Sequence, residues 1–342
     1  MIDVIMATYN HEKYISQAIE SVLMQECTFD FKLFIGEDCS TDGTLKICER
    51  YAEENPDRIV LIKQARNTGL GHNYKTLFKA TTANYVAILE SDDYWVDKHK
   101  LQKQFEILEA NPDVGLVHGN FYSLYESGQK KKGHVWADID SLNGHVLGPT
   151  QHVPININPL TTCFRADFVR EHVDFDFIID NQLLTVDLFL WGEICRRSKA
   201  FYMDEVLGIY RIHRESITGN PDIAAIETFS NTSFMMVNYL MEKYETPEAV
   251  KVAYNSRNRL RLIKEYLLAG ESRKAKRELA HVKVKGSMKH KIIYTAAKYR
   301  ALSFLVPLMD WFFAVGSNTK QAIERMMPKR SKKRQKQAVM SA

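Results

Sequence analysis

From residue 2 to residue 118 the chain alternates short apolar runs with stretches of helical spacing, and few folds accept that alternation. Residues 2–6, 33–36, 59–62, 85–89 and 114–118 read as strands. Between them, residues 12–25 place Ile15, Ala18, Ile19, Val22 and Leu23 on one helical face. Residues 44–54, 73–80 and 98–110 are further helices, the first preceded by Asp42 at an N-cap position and the last stopped by Asn111-Pro112. A β-α-β-α order predicts an α/β fold: a mainly parallel sheet, doubly wound, with helices on both faces. Such sheets bind ligands just beyond the C-terminal ends of their strands. Chemistry is therefore expected in the residues that follow each strand.

Those residues are not neutral. In AILESDDYW, residues 87–95, an apolar strand runs straight into Glu90, Asp92 and Asp93. Like charges this close repel, and burying them unpaired is expensive. Either the cluster is a solvated strand end or it faces a cation, and a divalent ion with oxygen ligands fits. The other strands end in MATYN (6–10), GEDCSTDGT (36–44) and RNTG (66–69).

Four such segments, in this order on successive strand ends, resemble the family 2 glycosyltransferases of GT-A fold. The stretch ESDDYWVDKHKLQKQFEILEANPDVGL is similar to the acidic-pair, aromatic, K-L-x-x-Q form of bacterial members. The likeness covers about residues 2–215. It implies a GT-A, Rossmann-like sheet and an inverting, metal-dependent transfer of a sugar from a nucleotide-sugar donor, UDP being the family's commonest carrier. Mn²⁺ or Mg²⁺ is the implied cofactor. By the same resemblance Asp93 is the direct metal ligand, and Asp92 sits near the ribose or the metal's water shell. Asp38 meets the base, Thr8 and Tyr9 line its pocket, and Asn67 lies at its edge. LTVDLFLW (184–191) resembles the segment that carries the family's general base, which assigns that role to Asp187; Asp180, just upstream, is the rival and reads as a structural cap. YRIHRES (210–216) resembles a Y-R-x-H segment, placing His213 on the metal or diphosphate and Arg211 on a phosphate oxygen. Trp95 and Trp191 suit either a sugar face or the core. His118, His134, His145 and His152 lack metal-ligand spacing and read as structural.

The remainder is less regular. Residues 119–160 are rich in Gly and Pro and read as loops shaping an acceptor side. Residues 161–170 and 183–197 look helical, residues 205–211 an edge strand, and three helical patterns follow Pro221. The expected organisation is a catalytic domain over 1–220, with donor binding in about 1–120 and the acceptor side in about 121–220. A helical region over 221–300 and a tail over 301–342 follow. Residues 251–342 hold 23 of the 46 Lys and Arg but 5 of the 42 Asp and Glu. LSFLVPLMDWFFAV (302–315) is too short to span a bilayer, yet basic residues flank it, the pattern of an interfacial anchor on an anionic membrane surface. No signal peptide is visible, and five cysteines without a C-x-x-C pair suit a reduced compartment. The expectation is therefore cytoplasmic, peripheral on the inner face of the plasma membrane. Partners would be a nucleotide-sugar donor and a glycan or lipid-linked acceptor of cell-surface polysaccharide synthesis. Nucleic acid is not expected, and the C-terminal helices are a candidate for self-association. Two alternatives stand beside this: a nucleotidylyltransferase that makes the nucleotide sugar, and a non-catalytic scaffold acting through its basic tail.

Overall fold

A computed structural model describes residues 1–133, 146–147, 157–216, 219–283, 288–299 and 306. The candidate anchor over 302–315, Val306 aside, and the basic tail lie outside the described residues. The chain divides into two compact units, Met1–Pro247 and Glu248–Ala342.

In the first unit the elements are β1 (Ile2–Thr8), α1 (Ile15–Leu23), β2 (Phe31–Glu37), α2 (Thr44–Glu54), β3 (Ile59–Lys63), α3 (Leu70–Ala80), β4 (Tyr85–Ile88), β5 (Tyr94–Trp95) and α4 (Lys100–Ala110). There follow β6 (Val114–Tyr125), β7 (Lys130–Lys132), β8 (Val146–Leu147), a 3₁₀ turn (Pro159–Thr161), β9 (Cys163–Arg165), α5 (Asp167–His172), α6 (Phe175–Asp180), α7 (Asp187–Arg197), β10 (Lys199–Ile212) and α8 (Ile223–Lys243). One sheet collects all the strands in the order β3-β2-β1-β4-β9-β6-β10-β5, with β7 beside β6 and β8 beside β10. The long pairings β1–β2, β1–β4, β2–β3 and β6–β10 are parallel; β9 is antiparallel to both β4 and β6. The fold is thus the expected mainly parallel α/β sheet.

Sequence explains the central strand. Every residue of β1 is buried, as a strand covered on both faces requires. Asp3 is the exception in type, and its Oδ2 accepts the backbone N–H groups of Thr82 and Ala83 at 2.9 and 3.0 Å. Helix α1 presses Ile15, Ala18, Ile19 and Val22 into the same core. Helix α3 lies flush on β2 because residue 36 is glycine: a Cβ there would stand 2.1 Å from Asn73 Oδ1, while Asn73 Nδ2 donates to Gly36 O at 2.7 Å.

Three sequence expectations are corrected. Residues 161–170 are not one helix but a turn, strand β9 and the short α5. Cys163–Arg165 completes the sheet between β4 and β6, and that pairing overrides a local helical pattern. Residues 205–211 are not an edge strand: they belong to the 14-residue β10, which has β6 on one side and β5 on the other. Asp42 also sits one residue outside the cap. Gly43 occupies that position, and Asp42 accepts from Thr44 N–H and Glu12 N–H.

The K-L-x-x-Q stretch proves to be a clamp. Lys100 and Gln104 are fully buried. Lys100 Nζ donates to Gln104 Oε1 (2.7 Å) and Thr162 O (3.1 Å) and lies 4.2 Å from the centre of the Trp95 ring. Gln104 Nε2 donates to Thr161 O, and Trp95 Nε1 to Leu160 O at 2.7 Å. Together they hold the 159–162 turn against α4.

The second unit comprises α9 (Glu248–Leu268), α10 (Ser272–Leu279) and α11 (Met288–Lys298), which pack on one another. Among the described residues no helix is long and apolar enough to cross a membrane.

Burial pushes the Lys100 ammonium down to about 7. Between that value and the unfolded value near 10.5, the unfolded chain holds one proton more than the native one, so this residue makes stability rise with pH. Relative to Lys100→Met, the wild type should gain in urea midpoint as pH goes from 7 towards 10. A difference that does not change with pH would show instead a charged Lys100 held by the Trp95 ring.

Candidate active site

The C-terminal ends of β1, β2 and β4 lie side by side, so the loops that leave them converge. Asp38, just past β2, is buried and spends its carboxylate locally. Its Oδ1 accepts from Thr68 N–H and Thr68 hydroxyl, both at 2.8 Å, and its Oδ2 from Gly69 N–H at 2.8 Å. It therefore ties the β2 end to the turn that starts α3, where Gly69 has φ 83. Asn67 is exposed beside it, its Oδ1 also receiving Gly69 N–H. Thr8 is buried with its hydroxyl unpartnered, whereas Tyr9 is 40% exposed.

The acidic pair sits where β4 hands over to β5. Asp93 is completely buried. Its Oδ1 accepts the Arg211 backbone N–H at 2.8 Å; its Oδ2 has no partner. Asp92 is half-buried, and its Oδ2 meets His213 Nε2 at 3.1 Å. The second ring nitrogen of His213, Nδ1, is buried and unpartnered. The Arg211 guanidinium donates to Asp92 O and Gln17 Oε1 between the rings of Tyr14 and Tyr94, whose centres are 5.1 and 4.6 Å away. It is a built-in strut under the acidic corner.

These surroundings drive the carboxyls apart. Burial, and then the charge of Asp92, raise Asp93 well above the usual carboxylate range. Burial acts on Asp92 in the same direction, but the hydrogen bond from His213 and the nearby imidazoles outweigh it and leave Asp92 low. Glu90 is pushed up to about 7, chiefly by burial; the Tyr74 hydroxyl donates to it, and Asp92 and Asp187 add repulsion. Asp187 opens α7 and is raised by burial, against the pull of the Thr185 hydroxyl and the Leu188 N–H. Asp187 adds to the repulsion felt by both Glu90 and Tyr74, so it lies within electrostatic reach of the acidic strand end. Asp180 does not share this setting: it is exposed at the C-terminal end of α6, and the cap of that helix is Asp174.

Three participants lay outside the sequence expectations. His11 Nδ1 contacts Ser91 Oγ at 2.6 Å, and Ser91 Oγ donates to Ala7 O, so Nδ1 carries the proton and donates. Tyr74 and Gln17 hold Glu90 and Arg211 from neighbouring helices. His11 falls one residue past MATYN (6–10), the segment marked by the strand-end rule. Trp95 and Trp191 are both core, each donating its indole N–H to a carbonyl, Leu160 O and Ile157 O respectively.

A divalent cation is chemically suited to the corner. Asp93 Oδ2 is an orphaned buried oxygen, and Asp92 and the imidazole of His213 stand beside it. Among the described residues, no three His, Cys, Asp or Glu side chains converge as a ready cage. Mg²⁺-type sites commonly have one or two protein carboxylates, with substrate phosphate and water completing the shell.

The glycosyl transferase family 2 model matches residues 3–179. The putative teichuronic acid biosynthesis glycosyltransferase TuaG of Bacillus subtilis is 28% identical over 237 residues, covering 67% of this chain and 86% of its own. The first curated relatives matched, from Mycobacterium, are 33% identical over 127 residues, and the match spans 37% of their length. In fold, the chain resembles S. aureus TarS 1–349, solved in complex with UDP-GlcNAc (TM-score 0.57, 17% identity, 89% of this chain and 88% of that one). It also resembles the mannosyltransferase PcManGT of Pyrobaculum calidifontis, in complex with GDP-Man and Mn²⁺ (TM-score 0.53, 15% identity, 92% and 86%).

Removing the Asp38 carboxylate strands three donors at once. Asp38→Ala should destabilise the protein by about 2–4 kcal/mol in urea unfolding, since buried charged hydrogen bonds are each worth about 1.5–3. A loss under about 0.5 kcal/mol would mean that the β2–α3 turn does not depend on it.

Proposed function

The chain belongs to glycosyl transferase family 2 and is a glycosyltransferase, and on that premise we propose that it is an inverting, metal-dependent one. It moves a sugar from a nucleotide-sugar donor, UDP-linked, onto a hydroxyl of a glycan or lipid-linked glycan. The observation that carries the reading is the unpartnered, fully buried Asp93 Oδ2 beside Asp92, at a strand end whose Glu90 feels the charge of Asp187.

Asp93 and His213 would hold Mn²⁺ or Mg²⁺, with Asp92 steering His213. When bound, the cation neutralises charge developing on the departing diphosphate. Thr8 and Tyr9 line the base pocket and Asn67 its edge. Asp38 sets the loop that shapes this pocket, and whatever capacity its Oδ2 retains is open to the base. Arg211 braces Asp92 through its carbonyl, and the guanidinium N–H groups not used there or on Gln17 remain for a phosphate oxygen of the donor. Asp187 accepts the acceptor's hydroxyl proton as that oxygen attacks the anomeric carbon. Its raised proton affinity suits a general base, bringing it closer to the operating pH. Glu90, pushed up to about 7, is shared between protonated and ionised forms near neutral pH while Asp92 stays ionised, so neighbouring acids differ in their proton affinity.

A cell-surface polysaccharide is supported as the product by the likeness to TuaG. The apolar and basic composition of residues 301–342 supports a cytoplasmic enzyme held peripherally at the inner face of the plasma membrane.

Asp93→Ala should abolish transfer while leaving the circular-dichroism spectrum unchanged; normal kcat would refute the assignment. Asp187→Asn should bind donor normally and transfer about 100-fold or more slowly. Chelation should stop turnover, with Mn²⁺ or Mg²⁺ restoring it. A thermal-shift screen should show nucleotide sugars raising Tm more with Mn²⁺ than without. No shift with any nucleotide sugar would sink the transferase mechanism.

A further inference from the structure

Beside the acidic corner lies a recess of about 270 Å³, walled by Tyr125, Glu126, Ser127, His213, Arg214 and Pro221. His213 belongs to both places: its Nε2 meets Asp92, and the residue is part of the wall of the recess. The volume sits at the small end of ligand clefts, room for a monomer unit rather than a folded partner. The rim is basic. Lys130, Lys131 and Lys132 make up β7, all three exposed, in register with Leu124, Ser123 and Tyr122 of β6. Lys131 Nζ stands 5.1 Å from the ring centre of the wall residue Tyr125. Arg214 is exposed at the opposite wall. Lys132 is engaged by Asp204 at 3.7 Å. Among the described residues, Lys130, Lys131 and Arg214 have no carboxylate on their charged ends. The one acid in the wall, Glu126, accepts the backbone N–H of Arg214 at 3.2 Å. Three cations without a carboxylate partner thus lie in or next to the wall of a recess that shares His213 with the acidic corner.

We propose that this recess is the acceptor subsite and that the acceptor is an acidic glycan, its carboxylate or phosphate groups resting on Lys130, Lys131 and Arg214. The proposal rests on the transferase reading and names its acceptor class. A neutral chain would leave these cations facing water, whereas an anionic one exchanges solvent for charge-assisted contacts on both walls. Tyr125 provides the flat surface between them.

The test is binding by the full chain, measured by titration calorimetry. The probes are hexagalacturonate, a hexamer of glycerol phosphate, and neutral maltohexaose. The wild type should bind one or both anionic oligomers, with affinity falling as salt rises, and bind maltohexaose much more weakly. Whichever anionic oligomer binds tighter identifies the charged group. Lys130→Gln/Lys131→Gln/Arg214→Gln should lose about tenfold in anionic-oligomer affinity, as three exposed ion contacts of a few tenths of a kcal/mol each imply. Lys130→Arg/Lys131→Arg/Arg214→Lys, with the same melting temperature, should retain it. Equal affinity for charged and neutral oligomers, or an unchanged triple Gln variant, overturns the subsite. A wild type that responds to nucleotide sugars yet ignores oligomer charge keeps the transferase and loses the subsite. One that binds acidic oligomers but no nucleotide sugar does the reverse.

Discussion

A carboxylate with nothing to hold organises this molecule. Asp93 lies in the interior, one oxygen fixed by the Arg211 backbone and the other without a partner. An isolated buried anion is far too costly to leave so, and the corner resolves the cost by taking a proton or a cation. The fold keeps the problem in place. β5 pairs with β10 immediately after Asp93, Arg211 is wedged between two tyrosines beneath it, and His213 fixes Asp92. Each of these contacts joins the end of β4 to the end of β10, segments about 120 residues apart in the chain.

Around that corner the acids are differentiated rather than merely gathered. Asp92 has hydrogen-bonding and positive company and stays ionised. Glu90 and Asp187 are enclosed with little compensation and hold protons more tightly. Neighbouring carboxyls of unlike proton affinity let one site both receive a proton and stabilise positive charge. Among the described residues no ready three-ligand cage exists, and a corner with one or two carboxylates is the kind that a bound oxygen or water completes when a hard cation enters.

Much of this was legible in the residues. The helix Thr44–Glu54 and the parallel strands follow from apolar periodicity alone, and the acid-rich strand ends marked the site because buried like charges demand a reason. What stayed hidden depends on distant partners. Cys163–Arg165 becomes a strand because β4 and β6 leave a gap for it, which no local pattern encodes. Asp38 looked like a ligand-facing acid, yet the turn at Thr68–Gly69 claims most of its capacity. Arg211, read from the sequence as a phosphate contact, also donates to Gln17 and the Asp92 carbonyl, partners that no local pattern shows. Glu90 could be counted in the cluster, but its proton affinity is set chiefly by burial, which the Tyr74 hydroxyl on α3 partly offsets.

The two buried indoles meet the same five residues. Trp95, two positions after Asp93, fastens Leu160; Trp191, one turn after Asp187, fastens Ile157. Residues 157–161 therefore work as a spacer gauge between the acidic corner and the start of α7. The separation of Asp93 from Asp187 is calibrated by a short length of backbone that contains neither, and lengthening that span by a single residue would shift one acid against the other without altering either side chain.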